Sequence, residues 1–310
     1  MRHIKIASRA SKLALVQANY IRRLLHSFCD VEASIVEIST KGDRDKSEFL
    51  YESESIGFFT SEVENALLDN RADIAVHSLK DLPIAPVPGL IIAAIPKRES
   101  AADALVATES VASIEDLPAG ATVGTSSLRR IAQVKHQRED LKCVPLRGNV
   151  ETRISKVLSG QVDAAVVACA GLNRLGLSEK ISAILPMQDF IPAPAQGALA
   201  VQIRSDDIEL AKLLGQFDDR ITRIAVEAER RVLAATEGGC SIPLGVYAHI
   251  SNDTITVDAM ISDLEGKRYI KLSGADHVSQ AGNCAEKLAR ELLAAGGREI
   301  LRQIRDIRKY

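Results

Sequence analysis

The chain repeats itself. Ile4-Lys5-Ile6-Ala7-Ser8 alternates as a strand does, turns through Arg9-Ala10-Ser11, and enters a helical stretch with apolar positions Leu13, Val16, Ile21, Leu24 and Leu25. Ala121-Thr122-Val123-Gly124 behaves alike, running into Thr125-Ser126-Ser127-Leu128-Arg129-Arg130 and a helix through Val134. Each copy is later followed by a related strand, Ala72-Asp73-Ile74-Ala75-Val76-His77 and Val162-Asp163-Ala164-Ala165-Val166-Val167-Ala168. Such a repeat predicts two similar α/β lobes, with residues 1–97 in the first and 100–192 in the second. Ile191-Pro192-Ala193-Pro194-Ala195-Gln196-Gly197 reads as a rigid connector. The apolar strand Leu199–Ile203 after it is expected to return to the first lobe, which assigns 197–216 there. Two lobes joined by crossing segments enclose a cleft, and ligands of α/β sheets sit at the carboxyl ends of strands.

Between these landmarks, Ser34–Ser39 predicts a strand and Ser61-Glu62-Val63-Glu64 a capping box for a helix through Leu68. Gly89–Ile95 is fully apolar, as a strand covered on both faces is. Lys41–Ser55 is charged and without periodicity, which predicts a loop. From about residue 218 the character changes. A helix, three alternating strands (near 246–251, 254–263 and 268–275) and one long amphipathic helix from Gly282 toward Arg308 predict a small α+β domain over 218–310.

The helical run Ile224–Ala235 leads to Glu237-Gly238-Gly239-Cys240-Ser241-Ile242-Pro243. Paired glycines supply positive-φ geometry at a helix end, and the proline stops the helix from resuming. Cys240 on that turn is either a small apolar cap residue or a presented thiol. Cys29, Cys143, Cys169 and Cys284 lie in periodic apolar runs and read as core. Five scattered cysteines without a C-x-x-C pair argue against a disulfide framework or zinc ribbon and for a reducing cytosol. The N-terminus enters a strand at once and no apolar run is long enough for a bilayer, so a cytoplasmic protein without membrane contact is expected. A net charge of −2 with 4% aromatics and no Trp disfavours a nucleic-acid partner. The absence of a long heptad run predicts a monomer, and no His spacing suggests a metal site.

Against that slightly acidic background, cations and hydroxyls gather at strand ends and helix starts: Arg9, Ser11, Lys80, Thr125, Ser126, Ser127, Arg129, Arg130, Arg147, Arg153 and Arg174. Helix N-termini and guanidinium forks bind anions, so the ligand carries several negative charges. Asp81 is the lone carboxylate among them: either a turn residue near Pro83 paired weakly with Lys80, or a carboxylate that stabilises a cation developing on a substrate. His77 reads as strand-end packing, since no nucleophile lies near it in sequence. A two-lobed anion-binding protein without catalysis would account for the lobes and the basic cleft, though not for the third domain.

His77-Ser78-Leu79-Lys80-Asp81-Leu82-Pro83, Gly124–Arg130, Leu146-Arg147-Gly148-Asn149-Val150-Glu151-Thr152-Arg153 and Glu229-Arg230 through Gly238-Gly239-Cys240-Ser241-Ile242-Pro243-Leu244-Gly245 resemble the porphobilinogen deaminase (hydroxymethylbilane synthase) family. The resemblance runs in order over nearly the whole chain. It implies two periplasmic-binding-protein-like (type II) lobes plus the small α+β domain. It implies a cytoplasmic transferase of tetrapyrrole and heme biosynthesis that condenses four porphobilinogen molecules, releases ammonia at each step and frees hydroxymethylbilane by hydrolysis. It also implies one dipyrromethane cofactor per chain, held by a thioether to Cys240. Asp81 is then the catalytic carboxylate, and the cations and hydroxyls named above hold acetate and propionate groups. One stretch departs from the family pattern: Glu54-Ser55-Ile56-Gly57-Phe58-Phe59-Thr60-Ser61 lacks the family's two lysines, which predicts a lid through Phe58 and Phe59 in place of an anion clamp. Thr236 stands where the family has an apolar residue.

Overall fold

The computed structural model describes residues 3–40, 60–108, 111–236 and 242–307. Along the chain the elements run β1 (Ile4–Arg9), α1 (Lys12–Cys29), β2 (Ala33–Ile38), α2 (Ser61–Leu68), β3 (Ile74–Ser78), β4 (Leu90–Ala94) and β5 (Asp103–Ala107). They continue with β6 (Thr122–Gly124), α3 (Leu128–Gln137), β7 (Lys142–Val144), α4 (Val150–Leu158), β8 (Ala164–Ala168), α5 (Cys169–Leu175), β9 (Ala183–Ile184), β10 (Leu199–Arg204) and α6 (Ile208–Leu214). Next come α7 (Arg220–Ala235), β11 (Leu244–Ser251), β12 (Thr254–Ser262), β13 (Tyr269–His277), α8 (Ala281–Leu292) and α9 (Arg298–Ile307).

The chain forms two compact units, one of Met1–Glu99 with Gly197–Arg223, the other of Ser100–Gln196 with Ile224–Tyr310. In the first unit the sheet order is β2-β1-β3-β10-β4; β1 runs parallel to β2 and β3, and β10 is antiparallel to both of its neighbours. The strand expected to return after the connector is β10, inserted between β3 and β4. In the second unit the order is β7-β6-β8-β5-β9, with β6 parallel to β7 and β8, and β5 antiparallel to β8 and β9. Each sheet therefore has three parallel strands, one inserted antiparallel strand and an edge strand, the two similar α/β lobes that the repeat predicts. The second unit also holds the antiparallel sheet β11-β12-β13.

The repeated Asp has a physical reason. Asp73 accepts the Lys5 N–H at 2.8 Å and its own N–H reaches Lys5 O. Asp163 accepts the N–H and hydroxyl of Thr122, both at 2.6 Å, and its N–H reaches Thr122 O. In both sheets one carboxylate fixes the register of the first parallel strand against the third. Alternation then divides each sheet between two cores. Ile4, Ile6, Ile74 and Val76 face one core with α1 and α6, and Ala7 and Ala75 face another with α2. Val166 and Val167 divide the second sheet likewise.

Three local expectations are corrected. Ser61 is the first residue of α2; the cap is Thr60, without a side-chain capping bond, and Glu64 reaches Gln202 instead of back to the helix start. β4 is an edge strand with Ile91 41% exposed, so its apolar run does not mean cover on both faces. The long C-terminal helix is two helices, because Gly296 adopts φ 120° within the wide turn Leu293–Gly297.

Candidate active site

In the first unit the candidate residues follow the carboxyl ends of the parallel strands β1 and β3. Arg9 ends β1, and Ser11 caps α1, its hydroxyl accepting the Ala14 N–H at 3.4 Å. β3 passes into a single 3-10 turn, Leu79–Asp81, which the Leu79 N–H fastens to Ala198 O at 3.0 Å. Leu79 is buried there, while Lys80 is half-buried and Asp81 exposed. His77 is a buried packing residue, as read: its Nε2 lies 3.1 Å from Gln202 Oε1, and Gln202 Nε2 donates to Glu64. Burial lowers the His77 pKa to about 4 against the opposing hydrogen bond to Gln202.

In the second unit the candidates follow the carboxyl ends of β6, β7 and β8. Thr125 Oγ1 accepts the Ser127 N–H at 3.2 Å, and the Ser126 hydroxyl bonds both O and N–H of Leu146 at 3.2 Å. The Ser126 hydroxyl ties the loops after β6 and β7 together, while that of Thr125 braces its own loop. Ser127 caps α3 without a side-chain bond to its first turn. Arg147 and Arg153 flank the start of α4, where Asn149 accepts the Thr152 N–H at 2.8 Å and Arg153 Nε donates to Gly148 O at 2.9 Å. Arg174 lies on the last turn of α5.

Arg129 and Arg130, read from the sequence as anion holders, are 4% and 6% exposed and meet an internal carboxylate. Arg129 Nη1 donates to Asp103 Oδ2 at 2.7 Å and to Ile191 O at 2.9 Å. Arg130 Nη2 and Nε donate to Asp103 Oδ1 at 2.7 and 3.1 Å, and its Nη1 to Val166 O at 2.9 Å. Burial opposes ionisation of Asp103, but the charges of Arg129 and Arg130 outweigh it and hold the carboxyl well below the usual range. Among the described residues Arg129 Nε is buried without a hydrogen-bond partner. Asp103 escaped the sequence reading, although its signal was there: one acid inside the apolar run Ala101–Ala107 demands a buried cation. Glu229, quoted from the sequence only as part of a motif, is buried on α7 and accepts N–H groups from Ala195 at 2.6 Å and Ala248 at 2.8 Å.

The thiols read as core are half-buried (Cys29, Cys143) or buried (Cys169, Cys284). Burial pushes Cys143 and Cys169 up to about 11 and raises Cys29 and Cys284 too. Cys240 with its flanking glycines, and the loop through Phe58 and Phe59, lie outside the described residues.

A family profile described as porphobilinogen deaminase, dipyromethane cofactor binding domain, matches residues 4–212, and one described as porphobilinogen deaminase, C-terminal domain, matches 223–294. The chain belongs to the porphobilinogen deaminase family. The porphobilinogen deaminase of Maridesulfovibrio salexigens is 44% identical over 307 residues, covering 99% of both chains. That of Nitratidesulfovibrio vulgaris is 43% identical over 307 residues, covering 98% of this chain and 97% of its own. A periplasmic substrate-binding protein of an ABC transporter from Coxiella burnetii aligns at TM-score 0.43 and 14% identity, over 71% of this chain and 94% of that one. The C-terminal profile of the deaminase family begins at 223, where α7 passes from the first compact unit to the second.

Proposed function

We propose that this chain is a hydroxymethylbilane synthase, a transferase that joins four porphobilinogen molecules head to tail on a covalent dipyrromethane primer. Ammonia leaves at each joining, and water finally releases the linear tetrapyrrole hydroxymethylbilane. One primer per chain is held through a thioether to Cys240. The protein acts as a cytoplasmic monomer that engages neither membrane nor nucleic acid; among the described residues no helix is long and apolar enough to cross a bilayer. Its three separate sheets support a division into 1–97 with 197–216, 100–192, and 218–310.

The observation that carries this reading is an imbalance inside the second unit. One buried carboxylate, Asp103, faces two buried guanidinium groups, and Arg129 Nε has no protein partner among the described residues. A buried charge and a buried donor left unpaired are both costly, and a carboxylate brought in from outside relieves both. The dipyrromethane unit carries acetates and propionates, so these residues fit it.

Arg9, Ser11, Lys80, Thr125, Ser126, Ser127, Arg129, Arg130, Arg147, Arg153 and Arg174 form the proposed set for primer and substrate carboxylates. Within it the structure suggests a division of labour. Thr125 and Ser126 shape the loop, since their hydroxyls are already bonded to backbone. Ser127 leaves the first-turn N–H groups of α3 without a side-chain cap, and such groups attract anions. The bound dipyrromethane supplies a nucleophilic ring carbon. Asp81, exposed on its fixed turn, stabilises the positive charge that develops on porphobilinogen as its carbon–nitrogen bond breaks.

Intact-mass analysis of protein from cells that make porphobilinogen tests the reading. We expect an adduct equal to two condensed pyrroles, absent together with activity in Cys240→Ser. An unmodified wild-type mass overturns it.

A further inference from the structure

Asp103 touches both arginines at the start of α3, but it does not hold them alike. Arg130 is gripped along its Nε–Nη2 edge by one carboxylate oxygen, while its Nη1 is fixed to Val166 O. Arg129 is held through Nη1 alone, between Asp103 and Ile191 O, which leaves its Nε side unpartnered among the described residues. Its guanidinium carbon lies 5.9 Å from the centre of the buried Phe190 ring, so one side of the group meets an apolar wall. Gln196, on the connector, donates to Asp103 Oδ1 at 3.0 Å and to Ala101 O at 2.8 Å, fixing the carboxylate itself. Two adjacent guanidiniums repel each other, and the anion between them is what allows both to stay buried.

We propose that Asp103 is a positioning residue for primer loading: with Gln196 behind it, it anchors Arg130 and sets Arg129 so that the Nε side of Arg129 faces the incoming carboxylates. This rests on the functional reading above. An aspartate suits the task, because an asparagine of the same shape presents either a neutral oxygen or an NH2 donor to the arginines and leaves two buried cations unbalanced. Asp103 acts through Arg129 and Arg130 and need not touch the ligand.

The test uses full-length protein from cells unable to make porphobilinogen, exposed to porphobilinogen while the gain in mass is timed. A displacement of about 1 Å in a positioning group costs on the order of a hundredfold in rate. We therefore expect folded Asp103→Asn to load roughly ten- to a hundredfold more slowly than wild type. Gln196→Ala, which keeps the charge, should load more slowly by a smaller factor. If folded Asp103→Asn is less heat-stable but loads at the wild-type rate, its role is structural only and the proposal falls. If Asp103→Asn does not fold, Gln196→Ala decides: slower loading at an unchanged melting temperature supports the proposal, and wild-type loading overturns it. Wild type gaining no mass defeats the functional reading itself, whereas normal wild-type loading with unimpaired variants defeats only the role of Asp103.

Discussion

His77 sits beside the turn that carries Asp81, with a proton affinity that the fold has reduced. The unfolded chain binds a proton at the ordinary histidine pKa near 6.5, and the folded chain only at about 4. Between those values the unfolded state holds more protons, so stability must rise with pH across that window and fall as the solution is acidified. The full effect is on the order of 3 kcal/mol. Urea titrations between pH 4 and 7 should show this slope, and His77→Gln, which can keep a bond to Gln202, should flatten it. Four residues on, Asp81→Asn should retain the mass adduct while turnover drops roughly a hundredfold or more; near-normal turnover would remove Asp81 from its role. The positions of Arg9 at the end of β1 and Asp81 just after β3 were legible because polar groups stand out at the ends of apolar runs. The partners Asp103 and Glu229 were harder to read, since a buried acid is explained only by cations and N–H groups far away in sequence.

Among elements, α3 shows how the C-terminal sheet supports the arginine-bearing helix. The β12–β13 hairpin lies against it, with Tyr269 stacked on His136 at 3.9 Å and 4°. His136 Nδ1 lies 2.9 Å from Gly266 O, and Lys135 pairs with Glu265. Gln133, on the same helix, bonds both N–H and O of Ile191 at 2.7 and 3.0 Å. Gly266 has φ +71°, and a Cβ there would stand 2.5 Å from Ala132 O and 2.6 Å from His136 N. Both contacts are with the backbone of α3, which cannot yield, so Gly266→Ala should lower stability by about 2–3 kcal/mol, read by urea denaturation. The three strands of this sheet were legible from alternation alone. The break near Gly296-Gly297 was not, although paired glycines are a stop signal, because apolar spacing persists through Ile300, Leu301 and Ile304. The capping-box expectation failed for another reason: the tertiary bond to Gln202 claims the Glu64 side chain.

Across the whole molecule, the repeat made the two α/β lobes readable, and the strand order shows what the repeat omits. Each sheet is completed by a strand outside its own strand–turn–helix copy. Gln202 on β10 stands opposite Ala75 on one side and Ile92 on the other. The first sheet is thus incomplete until the chain has passed residue 204. A fragment ending at residue 195 should leave β4 and the β10-facing amides of β3 unprotected in hydrogen exchange, whereas one ending at 223 should protect them. Equal protection in both would mean that the β10 insertion is dispensable.

The same strand order sets a timetable on the ribosome. The second sheet needs only contiguous strands, β5 through β9, and is complete once Ile184 has emerged. The first has β3 and β4 ready early but lacks the strand between them for roughly a hundred residues more, about 5–20 s at ordinary rates of synthesis. The usual N-terminal-first order is therefore reversed. The earlier half of the newborn chain waits with two strand edges open, the interval in which a holding chaperone has most to offer, until the later half has folded and the chain returns to close it.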